Sequence, residues 1–160
     1  MPLILRFCNL CLLQAGPQHV PASSFLLVLS AAAYVISGTI GSAYYYSWAL
    51  AAQTTLADAV LLIMFANAAV AMRGHPRRAT QTMIALMGVG TLFHVLALAI
   101  ATLGMPTTVF LILLLWNAIV FAHILRHALE IPLMFGFGLT AFYIFVTVAV
   151  TAAITADKVG

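Results

Sequence analysis

The stretch TTLADAVLLIMFANAAVAMRGHPRRATQTMIALMGVGTLFHVLALAIA, residues 54–101, decides the fold. It holds two apolar runs, each close to the roughly 20 residues that a helix needs to cross a hydrocarbon core. Between them lies a short link carrying Arg73, Arg77 and Arg78. A soluble helical hairpin spreads charge along its outer faces, whereas here every charge but Asp58 is gathered in the turn. Two antiparallel membrane spans joined by a polar loop give that pattern.

Working outward, the whole chain repeats it. Of 160 residues, 65% are hydrophobic and only nine are Lys, Arg, Asp or Glu. Mean hydropathy is +1.17. Nine charges cannot cover the surface of a soluble fold this size, so lipid must serve as outer solvent. Five segments are long enough to span: Ser24–Tyr45, Thr54–Met72, Thr80–Ala101, Thr107–His127 and Pro132–Ala153. The fold class is therefore an all-α integral membrane protein, a five-helix antiparallel bundle of residues 23–160 forming one domain. The aromatic group Tyr44, Tyr45, Tyr46 and Trp48 suits headgroup level at the end of the first span.

The basic residues orient the bundle. A cytoplasmic N-terminus puts Arg6, Arg73, Arg77, Arg78 and Arg126 inside and only Lys158 outside. The excess of cytoplasmic Lys and Arg in membrane proteins thus predicts N-in and C-out. A net charge of +3 raises the question of nucleic acid. The cations sit in turns, so they read as topology signals and anionic-lipid contacts, with no nucleic-acid partner.

Residues 1–22 differ. The run PLILRFCNLCLLQ is apolar but too short to span, and it predicts a short interfacial helix along the cytoplasmic surface. Pro17 and Pro21 then break any continuous helix into the first span. Arg6 interrupts the run and no small-residue cleavage site follows, which argues against a signal peptide. Cys8 and Cys11 sit on the expected cytoplasmic side, where a disulfide is disfavoured, and they read as small apolar residues.

Three constellations can carry function, each with a plainer reading beside it. His123, His127 and Glu130 lie at i, i+4 and i+7 on one predicted helix face. With His75 as a fourth ligand they form a candidate divalent-metal site. The plainer reading is cationic groups at a helix C-terminus, with Glu130 paired to Arg126. The second constellation is intramembrane. At about 1.5 Å per residue, Asp58 comes about 6 Å from the outer edge, His94 about 10 Å, and Asn117 and Tyr143 about 15 Å. An ionisable group in hydrocarbon faces the bundle and finds a partner, and Asp58 with His94 is the expected pair. It reads either as a proton or solute path or as a polar clasp between helices. Third, Ala33, Ser37 and Gly41, and likewise Gly136 and Thr140, form small-residue stripes that let helices pack closely.

No two histidines share a depth for bis-histidine haem, and no nucleophile elbow, phosphate loop or zincin motif is present. No cofactor other than surrounding lipid is expected, and no catalysis. The segments AGPQHVPAS and LWNAIVFAHILRHALE resemble those of a group of small proteobacterial inner-membrane proteins, a resemblance that covers most of the chain. It implies a bacterial inner membrane and brings no activity with it. The five-span arrangement is also similar to Yip1-like proteins in topology alone. The expectation is a non-catalytic accessory or scaffold subunit of a larger inner-membrane complex, with self-association or other membrane subunits as partners. The alternatives are a small proton-coupled carrier using Asp58 and His94, and a cytoplasmic-face metal-binding membrane protein.

Overall fold

The computed structural model describes residues 3–74 and 78–159. Its elements in chain order are α1 (Leu3–Cys11), a 3₁₀ turn (Pro17–His19), α2 (Ser24–Ser42), α3 (Trp48–Met72), α4 (Ala79–Thr102), α5 (Thr107–Leu129) and α6 (Leu133–Val159). Among the described residues there is no strand. Helices α2 to α6 are each long and apolar enough to cross a membrane. The chain is a five-span membrane protein preceded by a short helix.

Local chemistry sets the helix ends. Ser47 begins α3 as its side chain accepts from Leu50 N, a normal N-cap. At the far end of α4, Gly104 takes φ +62°. Its N–H donates to Ala101 O at 3.1 Å, and Met105 N–H to Ile100 O at 3.1 Å. That double closure is the glycine-ended C-cap, and Pro106 then prevents continuation. Two other helices close in the same way without glycine. Glu130 after α5 has φ 54°, and Leu13 after α1 has φ 60°.

Helix α4 is the hub. Half of its apolar window is buried, against 17–28% for the other spans. It packs on α2, α3, α5 and α1, while α6 lies against α5 and α3. Ile84, Leu86, Met87 and Val89 of α4 are fully enclosed, together with Leu62 and Val70 of α3 and Ile124 and Leu125 of α5. These residues fill the half of the bundle nearer the arginine-bearing loops. The other end carries Tyr44, Tyr45, Tyr46 and Trp48, all exposed as a headgroup-level belt requires.

The short N-terminal helix is present as expected, and it is seated in a groove between α4 and α5. Phe7 and Leu10 are buried, and Phe7 fits against Gly88, where a Cβ would lie 2.3 Å from Phe7 Cε1. Gly88 stands about 14 Å along α4 from its start, at 1.5 Å per residue. Trp116, the tenth residue of α5, donates its indole N–H to Cys11 O at 3.1 Å. The chain then returns: His123 Nε2 lies 3.2 Å from Ala15 O, and Gln81 Nε2 donates to Val20 O at 2.9 Å. Arg6 closes this hairpin by donating to His19 O at 2.7 Å. The groove buries Phe7 and Leu10 of α1 and gives its last carbonyl, Cys11 O, a donor.

Candidate functional site

The intramembrane site is centred on Asp58. Because α3 begins at Trp48, and not near Thr54 as expected, Asp58 is its eleventh residue of 25. It lies about 15 Å along the helix from its start, near the middle of the span and further in than the 6 Å expected. A carboxylate at that depth costs about 2.5–3.5 kcal/mol on insertion scales unless it is well bonded.

Three hydroxyls meet it. Tyr34 of α2 donates to Oδ2. Tyr143 of α6 donates to Oδ1 at 2.5 Å, and Thr147, one turn further along α6, donates to the same oxygen at 3.1 Å. Tyr34 and Tyr143 are themselves almost fully buried. The Tyr143 ring stacks obliquely on Phe65 at 5.3 Å and on Phe121 at 6.3 Å.

His94 does not bond Asp58 directly, which corrects the expected pair. Its Nδ1 lies 3.3 Å from Ser37 Oγ, and its ring lies 4.6 Å from that of Tyr34. Tyr34 is thus the link between histidine and carboxylate. Backbone clearance makes the arrangement possible. A Cβ on Gly90 would be 2.4 Å from Tyr34 Cε2, and one on Gly38 would be 2.9 Å from His94 Cε1.

Asp58, His94, Asn117 and Tyr143, from four helices, line one cavity of about 230 Å³ with Tyr34 of the fifth. Asn117 contributes a buried Oδ1 that has no hydrogen-bond partner. His94 also borders a second cavity of about 230 Å³, lined by Gly41, Ser42, Tyr45 and Tyr46 and leading toward the tyrosine belt. The histidine therefore stands between a space that reaches one membrane face and a space that holds the carboxylate.

The small-residue stripe of α2 is used within the chain. Ser37 touches His94, and Gly41 faces its carbonyl at a Cβ distance of 4.0 Å. Ala33 is half-buried, and the fully buried line on that helix is Ser30, Tyr34 and Gly38. On α6, a Cβ on Gly136 would lie 2.6 Å from Ala122 O, and Thr140 Oγ1 donates back to Gly136 O at 2.9 Å. These residues bring α6 close to α5.

The candidate metal cluster looks different in three dimensions. His123 and His127 do meet, with ring centroids 4.5 Å apart. Glu130 has left the helix in a left-handed conformation, so the i+7 alignment does not hold. Its carboxylate pairs at 2.6 Å with Arg78 from the start of α4, where the sequence pointed to Arg126. His75 lies outside the described residues. Among the described residues no group of three or more His, Cys, Asp and Glu is placed to hold a metal. Cys8 and Cys11 carry free thiols. Burial, with Cys8 adding, pushes the Cys11 thiol up to about 11, the opposite of a reactive cysteine.

Tyr34 and Thr147 are the site residues that reading the sequence missed. Thr147 was detectable, since it lies one helical turn from Tyr143 on the same face. Tyr34 carried the weaker signal of a lone tyrosine in mid-span.

Fold and site together define a multi-pass helical membrane protein with an aspartate, Asp58, in the middle of one span. No protein-family model matches the chain, and no curated protein or solved structure matches it.

Proposed function

We propose that this chain is a small proton-coupled carrier of a bacterial inner membrane, with N-terminus cytoplasmic and Asp58 as its proton-binding group. One observation carries the reading: His94 borders both the cavity that leads to the tyrosine belt and the cavity that contains Asp58. A structural clasp needs bonded polar groups only. It does not need open space on both sides of the histidine, nor a buried amide oxygen left unpartnered.

The two cavities that His94 borders lie above a packed layer. Leu62, Val70, Ile124 and Leu125, all fully buried, separate them from the cavities at the opposite end, which border Arg6, Arg73 and Arg78. In this reading Asp58 is reached past His94 from the tyrosine-belt side, which is the periplasmic side if the arginines mark the cytoplasm. Carriage needs a second state in which the packed layer opens. The test is reconstitution in vesicles loaded with a pH-sensitive dye. An imposed gradient should collapse faster with wild-type protein than without, and Asp58→Asn should remove the difference.

A second reading, an accessory subunit of a larger membrane complex, draws on the α6 surface. Phe135, Phe142 and Phe145 are exposed there, and a Cβ on Gly138 would meet nothing within 4 Å. Mild-detergent purification with mass spectrometry separates the readings, since a stoichiometric membrane partner belongs to the second.

A further inference from the structure

Resting on the carrier reading, the Asp58 cavity also carries information about what is bound there. Tyr34, Tyr143 and Thr147 have turned their hydroxyl hydrogens onto Asp58. That leaves carboxyl and hydroxyl lone pairs, together with the buried, unpartnered Oδ1 of Asn117, as acceptors beside the Asn117 amide N–H groups. A ligand that brings hydrogen-bond donors meets these acceptors. Among the described residues no cationic side chain bonds Asp58, and the imidazole of His94 lies against Ser37 Oγ. A positive charge on the ligand would therefore be matched.

Size and lining select the kind of cation. A volume of about 230 Å³ holds roughly eight waters at ~30 Å³ each, far more than a bare ion fills. Hard metal ions gather about six to eight oxygens closely around themselves, whereas three of the oxygens here are hydroxyls already hydrogen-bonded to Asp58. The remaining walls are apolar and aromatic, Leu114, Phe121, Ile144 and Val148 among them. A largely apolar cleft with a few convergent polar groups is the usual form of an organic-ligand site. Aromatic faces beside a carboxylate add attraction for an ammonium group.

We infer that this cavity binds a small organic ammonium of about eight non-hydrogen atoms, its charged nitrogen between Asp58 and Asn117 Oδ1 and its apolar body against Phe121. The probe is benzylamine, titrated calorimetrically into the full chain in nanodiscs, with empty nanodiscs subtracted. One site per chain is expected. Asp58→Asn should weaken binding at least roughly ten-fold and Asn117→Ala roughly three-fold or more, as expected for hydrogen bonds to a charged group. Ala118→Leu fills the cavity without touching the Asp58 bonds and should abolish binding, which keeps the test sound if Asp58→Asn fails to fold. Benzyl alcohol and sodium ion should not compete. Binding that persists in Ala118→Leu, competition by sodium, or no binding to wild type overturns the inference. Dye-reported proton movement without benzylamine binding removes the ammonium site and leaves the carrier reading standing. Binding without proton movement supports the site and removes the carrier reading.

Discussion

The ring of Tyr34 on α2 crosses α4 at Gly90, so closely that a Cβ there would lie 2.4 Å from Tyr34 Cε2. Only by passing at that point does the Tyr34 hydroxyl reach Asp58 on α3. A hydrogen at one position of α4 thus allows a hydrogen bond between two other helices. Gly38 does the same for His94.

Gly90→Ala should therefore cost about 1–3 kcal/mol, as expected when a packed site is overfilled. It should also loosen the Asp58 site. Gly138→Ala is the matched control, because its Cβ would enter open space on the outer face of α6. That change should be neutral or stabilise by up to about 1 kcal/mol through helix propensity. Unfolding in mixed micelles of increasing denaturing-detergent fraction measures both.

Each tyrosine hydroxyl on Asp58 can be removed without changing ring volume. Tyr34→Phe and Tyr143→Phe should each destabilise by about 0.5–1.7 kcal/mol, the range of interhelical hydrogen bonds measured in a membrane. Because both bonds end on one carboxyl group, the double variant should depart from the sum of the singles. Strict additivity in a double-mutant cycle would mean that the three side chains do not act as one unit.

Cys11 reports on the seat of α1. With its thiol pushed up to about 11, little thiolate exists at pH 8, and the thiolate is the reactive form. Maleimide labelling should be slow there and rise about ten-fold per pH unit until the pH nears 11. Phe7→Ala removes the ring that fits Gly88 and should accelerate labelling at pH 8 by releasing α1. Equal rates in the two proteins would place α1 outside its groove in the membrane.

Glu130 tests two opposing terms. Its φ of 54° is a conformation that glycine adopts without strain, and relieving it in Glu130→Gly is worth about 1 kcal/mol. The ion pair with Arg78 is 40% and 60% exposed at its two side chains, and such pairs contribute about 0–1 kcal/mol. Glu130→Gln should then be mildly destabilising and Glu130→Gly neutral or better. Thermal unfolding at low and high salt separates the terms, since only the pair is screened.

Much of this protein was readable because hydrocarbon is an exacting solvent. Runs of apolar residues punctuated by Arg73, Arg78 and Arg126 are sufficient for five antiparallel helices, and five are present. The same severity pointed to Asp58, His94, Asn117 and Tyr143, which meet in one cavity. Depths along the normal were read less well: the span was expected from Thr54, although α3 begins at Trp48. Rotation about each helix axis was not readable at all. It decides that Tyr34, and not His94, meets the carboxylate, and it depends on the clearances at Gly38 and Gly90. The seat of α1 was hidden for a similar reason: nothing in LILRFCNLC says that Gly88 leaves room for Phe7.

The account rests on Asp58 as a mid-span proton-binding group, and proton flux measures that most directly. Vesicles carrying wild-type protein or Asp58→Asn, matched for amount and for folding, are loaded with a pH-sensitive dye and given an imposed gradient. Wild-type vesicles should lose the gradient faster than empty ones, and Asp58→Asn vesicles should match the empty ones. Equal, protein-dependent flux from wild type and folded Asp58→Asn would contradict the account.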